Sequence, residues 1–591
     1  MFDAIPGVAK IKEQIKTHME AIIRLKTKQN SYSRINRLPT EIITQIFLSA
    51  KPAYNSNLYD SDGRYIRTLI APSHTCSLWR ALVINTPAYW NTIPFGNVYW
   101  GREVLERSKG TGLVVLVDTF SSELSRSPLL KTVMAQISRI TDLDLCVPVN
   151  LLTEIIGCLE ASAPLLRVLH LRTAVLSSVH THNIPGLCYT LPQPLLGSNT
   201  PRLRDVKLRY CDGLNWRGNL LQGLTSLDIS NMHPGNHPST SDLTFALANM
   251  PNLQKLVLIS CLSKFTAETA ELNVIRLERL AFLSLQGSKT NILEAIRLLA
   301  LPTSVKLSLF IVPESYAAAD DFLELIKAIE DVVVRRQECL PFEGFSVDFI
   351  VTGQLRLWWW RNAHYASDVV SQDPRPEHNN PCFASLLVER GTLWDKPNPL
   401  AQILQTVDTS KLRVLGFHVL ATLHQRTWAE RLLSMPCIET ISVSGPSAFT
   451  LFRALTVRQE KSAVQASKNS AVKKKKPGNI IVPKLQDLIL HEIDWEEDIG
   501  KKPAHAFLAD KLKKRAKSGA KLQRLVIRQC HNIYEDEIGS LQKVVGEVDW
   551  DGISDDDNDD EAYYGKDYSD YSDYDSDHDI HIHWENEDGW Y

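Results

Sequence analysis

A short apolar motif, best written P-x-L-x-x-L-x-L, recurs through most of the chain and limits what it can fold into. It reads Pro164, Leu166, Leu169, Leu171; then Pro201, Leu203, Val206, Leu208; then Pro251, Leu253, Leu256, Leu258. It returns as Pro436, Ile438, Ile441, Val443 and as Pro483, Leu485, Leu488, Leu490. Versions without the proline stand at Ile140, Leu143, Leu145; at Leu224, Leu227, Ile229; at Leu280, Leu283, Leu285; at Leu412, Leu415, Phe417; and at Leu522, Leu525, Ile527. In an extended strand residues two apart share a face, so the final L-x-L sends both side chains into one core. The earlier leucine belongs to the turn that leads into the strand.

One such unit cannot cover its own apolar face, but stacked neighbours can. Successive motifs lie about 21 to 47 residues apart, with a longer gap from Leu285 to Leu412. Stretches between them, such as Ile292 to Leu299 and Phe322 to Val333, carry helical periodicity. Strand, turn, helix, turn is the plan of a leucine-rich repeat. A solenoid also explains how 591 residues avoid one oversized core. The expected fold is α/β: an N-terminal helical module over 34–95, a repeat solenoid over 96–550, and an acidic, disordered tail over 551–591.

The first 33 residues predict one amphipathic helix. Ile11, Ile15, His18, Ile22 and Leu25 form a single seam with polar residues elsewhere. Coiled-coil pairing is one reading of that seam; packing on its own protein is the other. A helical cluster follows. Thr40 is placed to cap a helix in which Ile42, Ile43, Ile46, Phe47 and Ala50 make a wide stripe. After a polar loop, a second helix puts Cys76, Trp79 and Val83 on one face and ends at Pro87.

Chemistry is sparse. No GxxxxGK[ST], GxSxG or HExxH occurs, so the common catalytic signatures are absent and no enzyme is expected. The ten cysteines are scattered without zinc-ligand spacing, and Cys146, Cys158 and Cys261 lie in apolar segments as reduced thiols. No cofactor or metal is expected; His578, His581 and His583 in the acidic tail are read as solvated. The net charge of −3 conceals segregation between a Lys-rich insertion at 456–480, with Lys473 to Lys476, and the acidic tail. An organised basic face with aromatics is lacking, which disfavours nucleic acid. No apolar run spans a bilayer, which places the chain in the cytosol or nucleus. Ser554, Ser569, Ser572 and Ser576 each precede Asp, a context for acid-directed kinases.

The stretch INRLPTEIITQIF, followed by SHTCSLWRALVINTPAYW, resembles an F-box, specifically the F-box-like proteins of mushroom-forming fungi. Leu38-Pro39, Glu41-Ile42, Ile46-Phe47, Cys76, Trp79-Arg80, Pro87 and Trp90 carry the likeness. The charged helix before it and VLERSKGTGLVVLVD after it also look like that family. The resemblance implies docking onto the Skp adaptor, and through it cullin, in an SCF-type ubiquitin ligase. It implies Leu38, Pro39, Ile42, Ile46, Phe47, Cys76 and Trp79 as the adaptor-binding residues, with the repeats holding an unidentified protein target. Competing readings are a non-degradative F-box scaffold and a leucine-rich repeat GTPase regulator.

Overall fold

The computed structural model describes residues 6–52, 64–118, 128–173, 188–262, 274–312, 323–334, 342–350, 354–364, 384–388, 399–418, 423–455 and 480–553. The Lys-rich run, the tail histidines and the tail serines lie outside the described residues, as does most of the His/Asn/Pro-rich stretch near 363–381. Chain contacts divide the protein into two units, 1–416 and 417–591, each taken by itself below. The division falls inside the block expected to form one solenoid.

Unit 1 opens with helices. They are α1 (Pro6–Ser31), α2 (Thr40–Ser49), α3 (Arg64–Ile70), α4 (Ser77–Ile84) and α5 (Val98–Arg107). Pro39, not Thr40, occupies the cap position of α2, since its ring fixes φ and offers no competing N–H. Thr40 is instead the first helical residue, and its carbonyl accepts from Thr44 Oγ1 at 2.8 Å. α3 was not expected; it buries Tyr65, Ile66 and Leu69.

The sheet follows. Its strands are β1 (Leu113–Asp118), β2 (Ile140–Val147), β3 (Val168–Thr173), β4 (Asp205–Arg209), β5 (Ser226–Ser230), β6 (Lys255–Ile259), β7 (Phe282–Gly287) and β8 (Lys306–Ile311). These eight lie side by side in sequence order and run parallel. The long motif gap is filled by β9 (Gly344–Ile350), β10 (Gln354–Trp360) and β11 (Ala384–Val388). Here order breaks: β11 pairs parallel with β8, and β10 lies antiparallel between β11 and β9. The array is therefore mixed at this point, where a hairpin replaces the strand-and-helix repeat.

In unit 2, β12 (Thr440–Ser444), β13 (Asp487–His491), β14 (Arg524–Arg528) and β15 (Glu547–Trp550) are again parallel and adjacent. Helices Gln425–Leu433, Ser447–Ala454, Ala504–Lys517 and Glu535–Gln542 accompany them. Every leucine, isoleucine, valine and phenylalanine of the motifs named above is at most 2% exposed, while the leading prolines lie nearer the surface. The leading leucine sits in a turn: the N–H of Leu166, Leu203, Leu253 and Leu485 each donates to a carbonyl three residues earlier. The protein is thus a mixed α/β chain with an N-terminal helical region and a large, mostly parallel sheet built on leucine-rich units.

Each unit has a further position that the motif omitted. One residue past the strand, Tyr210, Asn231, Ser260, Glu492 and Gln529 adopt positive φ. The chain then turns inward, burying Cys211, Met232, Cys261, Ile493 and Cys530. The thiols of Cys211, Cys261 and Cys530 donate weakly to Leu171, Ile229 and Leu490 carbonyls at 3.6–3.8 Å. Cys261 is a core thiol as expected, whereas Cys146 and Cys158 are only half-buried. Among the described residues no helix is long and apolar enough to cross a membrane.

Arg515 shows how unit 2 tolerates its insertion. Its buried guanidinium donates to Ile481 O at 2.6 Å, Val482 O at 2.9 Å and Leu455 O at 3.4 Å. Leu455 and Ile481 flank the Lys-rich segment, so one side chain ties both ends of its stem. Burial pushes Arg515 down to about 10, still charged at neutral pH. Arg515→Met leaves these carbonyls without a donor and is expected to cost about 2–4 kcal/mol in urea unfolding. The exposed Lys517→Met should stay within about 0.5 kcal/mol.

Candidate interaction surfaces

Two surfaces stand out, one on each part of unit 1. The first is the helical module. α2 turns two adjacent apolar rows in different directions: Ile43 and Phe47 are buried, while Ile42 and Ile46 are 48% and 38% exposed. Leu38, one turn before Ile42, is 39% exposed, and Pro39 beside it is also exposed. The result is an outward apolar stripe, Leu38–Ile42–Ile46, at helical spacing.

Phe47, Cys76 and Trp79 are placed differently. Phe47 lies inside the module, its ring 5.0 Å from that of Trp79 in an edge-to-face pair. Trp79 is half-buried, and its indole N–H donates to Asn36 Oδ1 at 2.7 Å. Asn36 Nδ2 reaches back to Asn30 O at 2.8 Å, joining the end of α1 to the module. Cys76, also half-buried, precedes α4. Phe47 therefore supports the stripe from beneath, and Trp79 spends its polar atom on its own chain. Sequence periodicity could not choose between the 42/46 and 43/47 rows, since both are apolar.

The module's interior is held by paired polar atoms. Tyr89 Oη donates to Leu69 O at 3.0 Å and Trp90 Nε1 to Val83 O at 2.8 Å. The Arg107 guanidinium lies 4.5 Å from the Trp90 ring. Lys51, just past α2, donates to Asn91 Oδ1 and to Thr92 Oγ1 at 2.9 Å. Those two residues continue into the sheet: Val114 N–H donates to Asn91 O at 2.8 Å, and Ile93 N–H to Val114 O at 3.3 Å. The module is thus stitched to the free edge of β1 without a flexible linker.

The second surface is the non-core face of β2–β5. Alternation puts Asp144, His170, Lys207 and Asp228 in one row, with Asp142 and Asp205 on one side and Arg172 on the other. His170 is held between two carboxylates, Nδ1 3.1 Å from Asp144 and Nε2 3.3 Å from Asp205. Arg172 meets Asp144 at 2.8 Å, Lys207 meets Asp228 at 3.2 Å, and Arg167 meets Asp142 at 3.1 Å. Burial opposes charge on His170, but hydrogen bonds to Asp144 and Asp205 outweigh it and lift the imidazole to about 9. For Asp144, burial is likewise overcome by His170 and Arg172, and its carboxyl is held below the usual range.

The acids and bases are paired with one another, and among the described residues no cluster of three or more His, Cys, Asp or Glu could hold a metal ion. The periodic motif located these strands, but it is silent about their outward residues. A reading of the central residue of each L-x-L would have found Asp144, His170 and Asp228.

Because the folded imidazole lies above the ordinary 6.5, its contribution is full below about pH 6.5 and lost as pH rises through about 9. His170→Gln is expected to lower unfolding stability by about 1–2 kcal/mol at pH 6, with the gap from wild type narrowing toward pH 10. Urea melts across that range measure it.

No family model matches the chain, and no curated protein matches it. Among solved structures it is similar to the leucine-rich repeat-containing protein LegL7 from Legionella pneumophila. The two share 17% identity over 60% of this chain and 91% of that one, at a TM-score of 0.26. The repeat architecture itself rests on the strand register and the buried motif residues described above.

Proposed function

We propose that this chain is the substrate receptor of an SCF-type cullin–RING ubiquitin ligase. In this reading the helical module binds the Skp adaptor and the sheet face of β2–β5 receives a protein target. The observation that carries it is the stripe Leu38–Ile42–Ile46: three large apolar side chains face water in one row, above the buried Ile43 and Phe47 of the same helix. Together with the LPTEIITQIF sequence they form a surface suited to an apolar partner.

The chain acts by positioning. The adaptor and cullin supply the link to the charged ubiquitin carrier, and the sheet face holds the target's lysines near it. Rate gain comes from effective concentration, with no catalytic side chain from this protein. The stitched edge at residues 91–93 supports this role, because a stiff joint preserves the distance between the two surfaces. Such work belongs in the cytosol or nucleus.

Leu38, Pro39, Ile42 and Ile46 are the contacts of this reading, while Phe47, Cys76 and Trp79 maintain the helices that display them. Ile42→Asp with Ile46→Asp, both at exposed positions, should reduce recovery of purified Skp adaptor at least about tenfold without lowering Tm. Undiminished recovery would reject the stripe as the docking site. Reconstitution with cullin and RING subunit separates a ligase receptor from a scaffold that binds the adaptor alone.

A further inference from the structure

Helix α1 carries an apolar seam that the described residues leave largely uncovered. Val8, Ile11, Ile15, His18, Ile22 and Leu25 recur at alternating spacings of three and four. Ile11 and Ile15 are each 56% exposed, Ile22 45% and Leu25 69%. Of residues 7–31 only Val8 and Met19 are partly covered, so among the described residues nothing packs along this seam, and the expectation that it packs on its own protein is not met there. Helices in proteins owe most of their stability to tertiary packing, and isoleucine is an indifferent helix former. A continuous stripe of such side chains needs an occupant.

We propose that the occupant is the same stripe on a second copy, giving a parallel two-stranded coiled coil along Pro6–Ser31. In heptad terms Val8, Ile15 and Ile22 take the a positions, and Ile11, His18 and Leu25 take d. Branched residues at a with leucine at d favour two parallel strands, and a single polar layer fixes register while weakening the pair. His18 supplies that layer.

Charge selects the same geometry. A parallel pair sets Lys12 opposite the other copy's Gly7, Met19 opposite Gln14 and Lys26 opposite Ala21, with no like charges across the seam. Lys10, Lys16 and Arg24, with Glu13 and Glu20, project outward. An antiparallel pair brings Lys12 toward Lys26 of the other copy. Area is sufficient as well. Five apolar seam residues at roughly 60–120 Å² each bury roughly 600–1,200 Å² over both copies, and the stems of Lys12 and Lys26 add to it. That reaches the lower range of specific interfaces, about 1,200 Å².

The pairing does not depend on the ligase reading and adds to it. Two helical modules and two sheet faces in one particle would bind a repeated or dimeric target with avidity.

Sedimentation equilibrium of the full chain across about 1–100 μM should show a reversible dimer. Ile15→Glu with Ile22→Glu should raise its Kd at least about 100-fold, and His18→Leu should lower it about tenfold or more. Leu25→Cys should give an oxidised covalent dimer that wild type does not, because only the parallel arrangement brings those positions together. All of these positions are exposed in the single chain, and an unchanged Tm confirms that each variant folds. A monomer throughout that range, a dimer indifferent to the glutamates, or failure of Leu25→Cys to cross-link overturns the proposal. So does a monomer that binds phosphatidylserine vesicles through α1, which assigns the stripe to a membrane surface. None of these measurements includes the adaptor, so the ligase reading stands or falls separately.

Discussion

A strand whose leucines all point one way has nowhere to put them except against its neighbours. That constraint governs the molecule. Each L-x-L pair is buried because the adjacent repeat supplies the other wall, and each turn leucine fills the space beneath. Stacking solves the core but leaves edge strands, where backbone groups invite pairing with another chain. The outer edge of β1 is taken by residues 91–93, which bond to Val114 from both sides. β15 is protected differently. It is only four residues long, bears Glu547 and Asp549, and spends Asp549 on Arg528 at 2.7 Å.

Capping the first edge with the end of the helical module has a mechanical consequence. Lys51 anchors the region just past α2 to Asn91 and Thr92, the same residues that bond or neighbour β1. Burial pushes this lysine down to about 8. Movement of α2 against the sheet would have to break those contacts together. The exposed stripe on α2 is therefore held in register with the repeats that follow it.

Much of this was legible in the sequence. All ten leucine motifs mark buried segments, because period-two burial leaves a signature that few other structures share. The helices expected from Ile292 and from Phe322 appear at Lys289–Leu298 and Leu323–Val334. What escaped was of three kinds. The hairpin of β9 and β10 lacks the turn leucine and presents three tryptophans in a row, so no repeat template applies. Cys211, Cys261 and Cys530 sit three residues beyond the last motif leucine or isoleucine, an offset visible only once the strands are aligned. In α2 two apolar rows compete for the core, and only the packing of Trp79 on Phe47 decides between them.

The sheet face of β2–β5 follows from the same alternation that builds the core. Inward positions must be apolar, so polar side chains can stand only in the residues between them. Here those residues are acids and bases that already satisfy one another, with His170 clamped by Asp144 and Asp205 and Arg172 on Asp144. Side chains fixed in this way lose less freedom when a partner arrives than unpaired lysines or glutamates would. A partner must also match a balanced pattern of signs, since displacing one member leaves its half-buried mate uncompensated. The face therefore favours selectivity over indiscriminate electrostatic attraction.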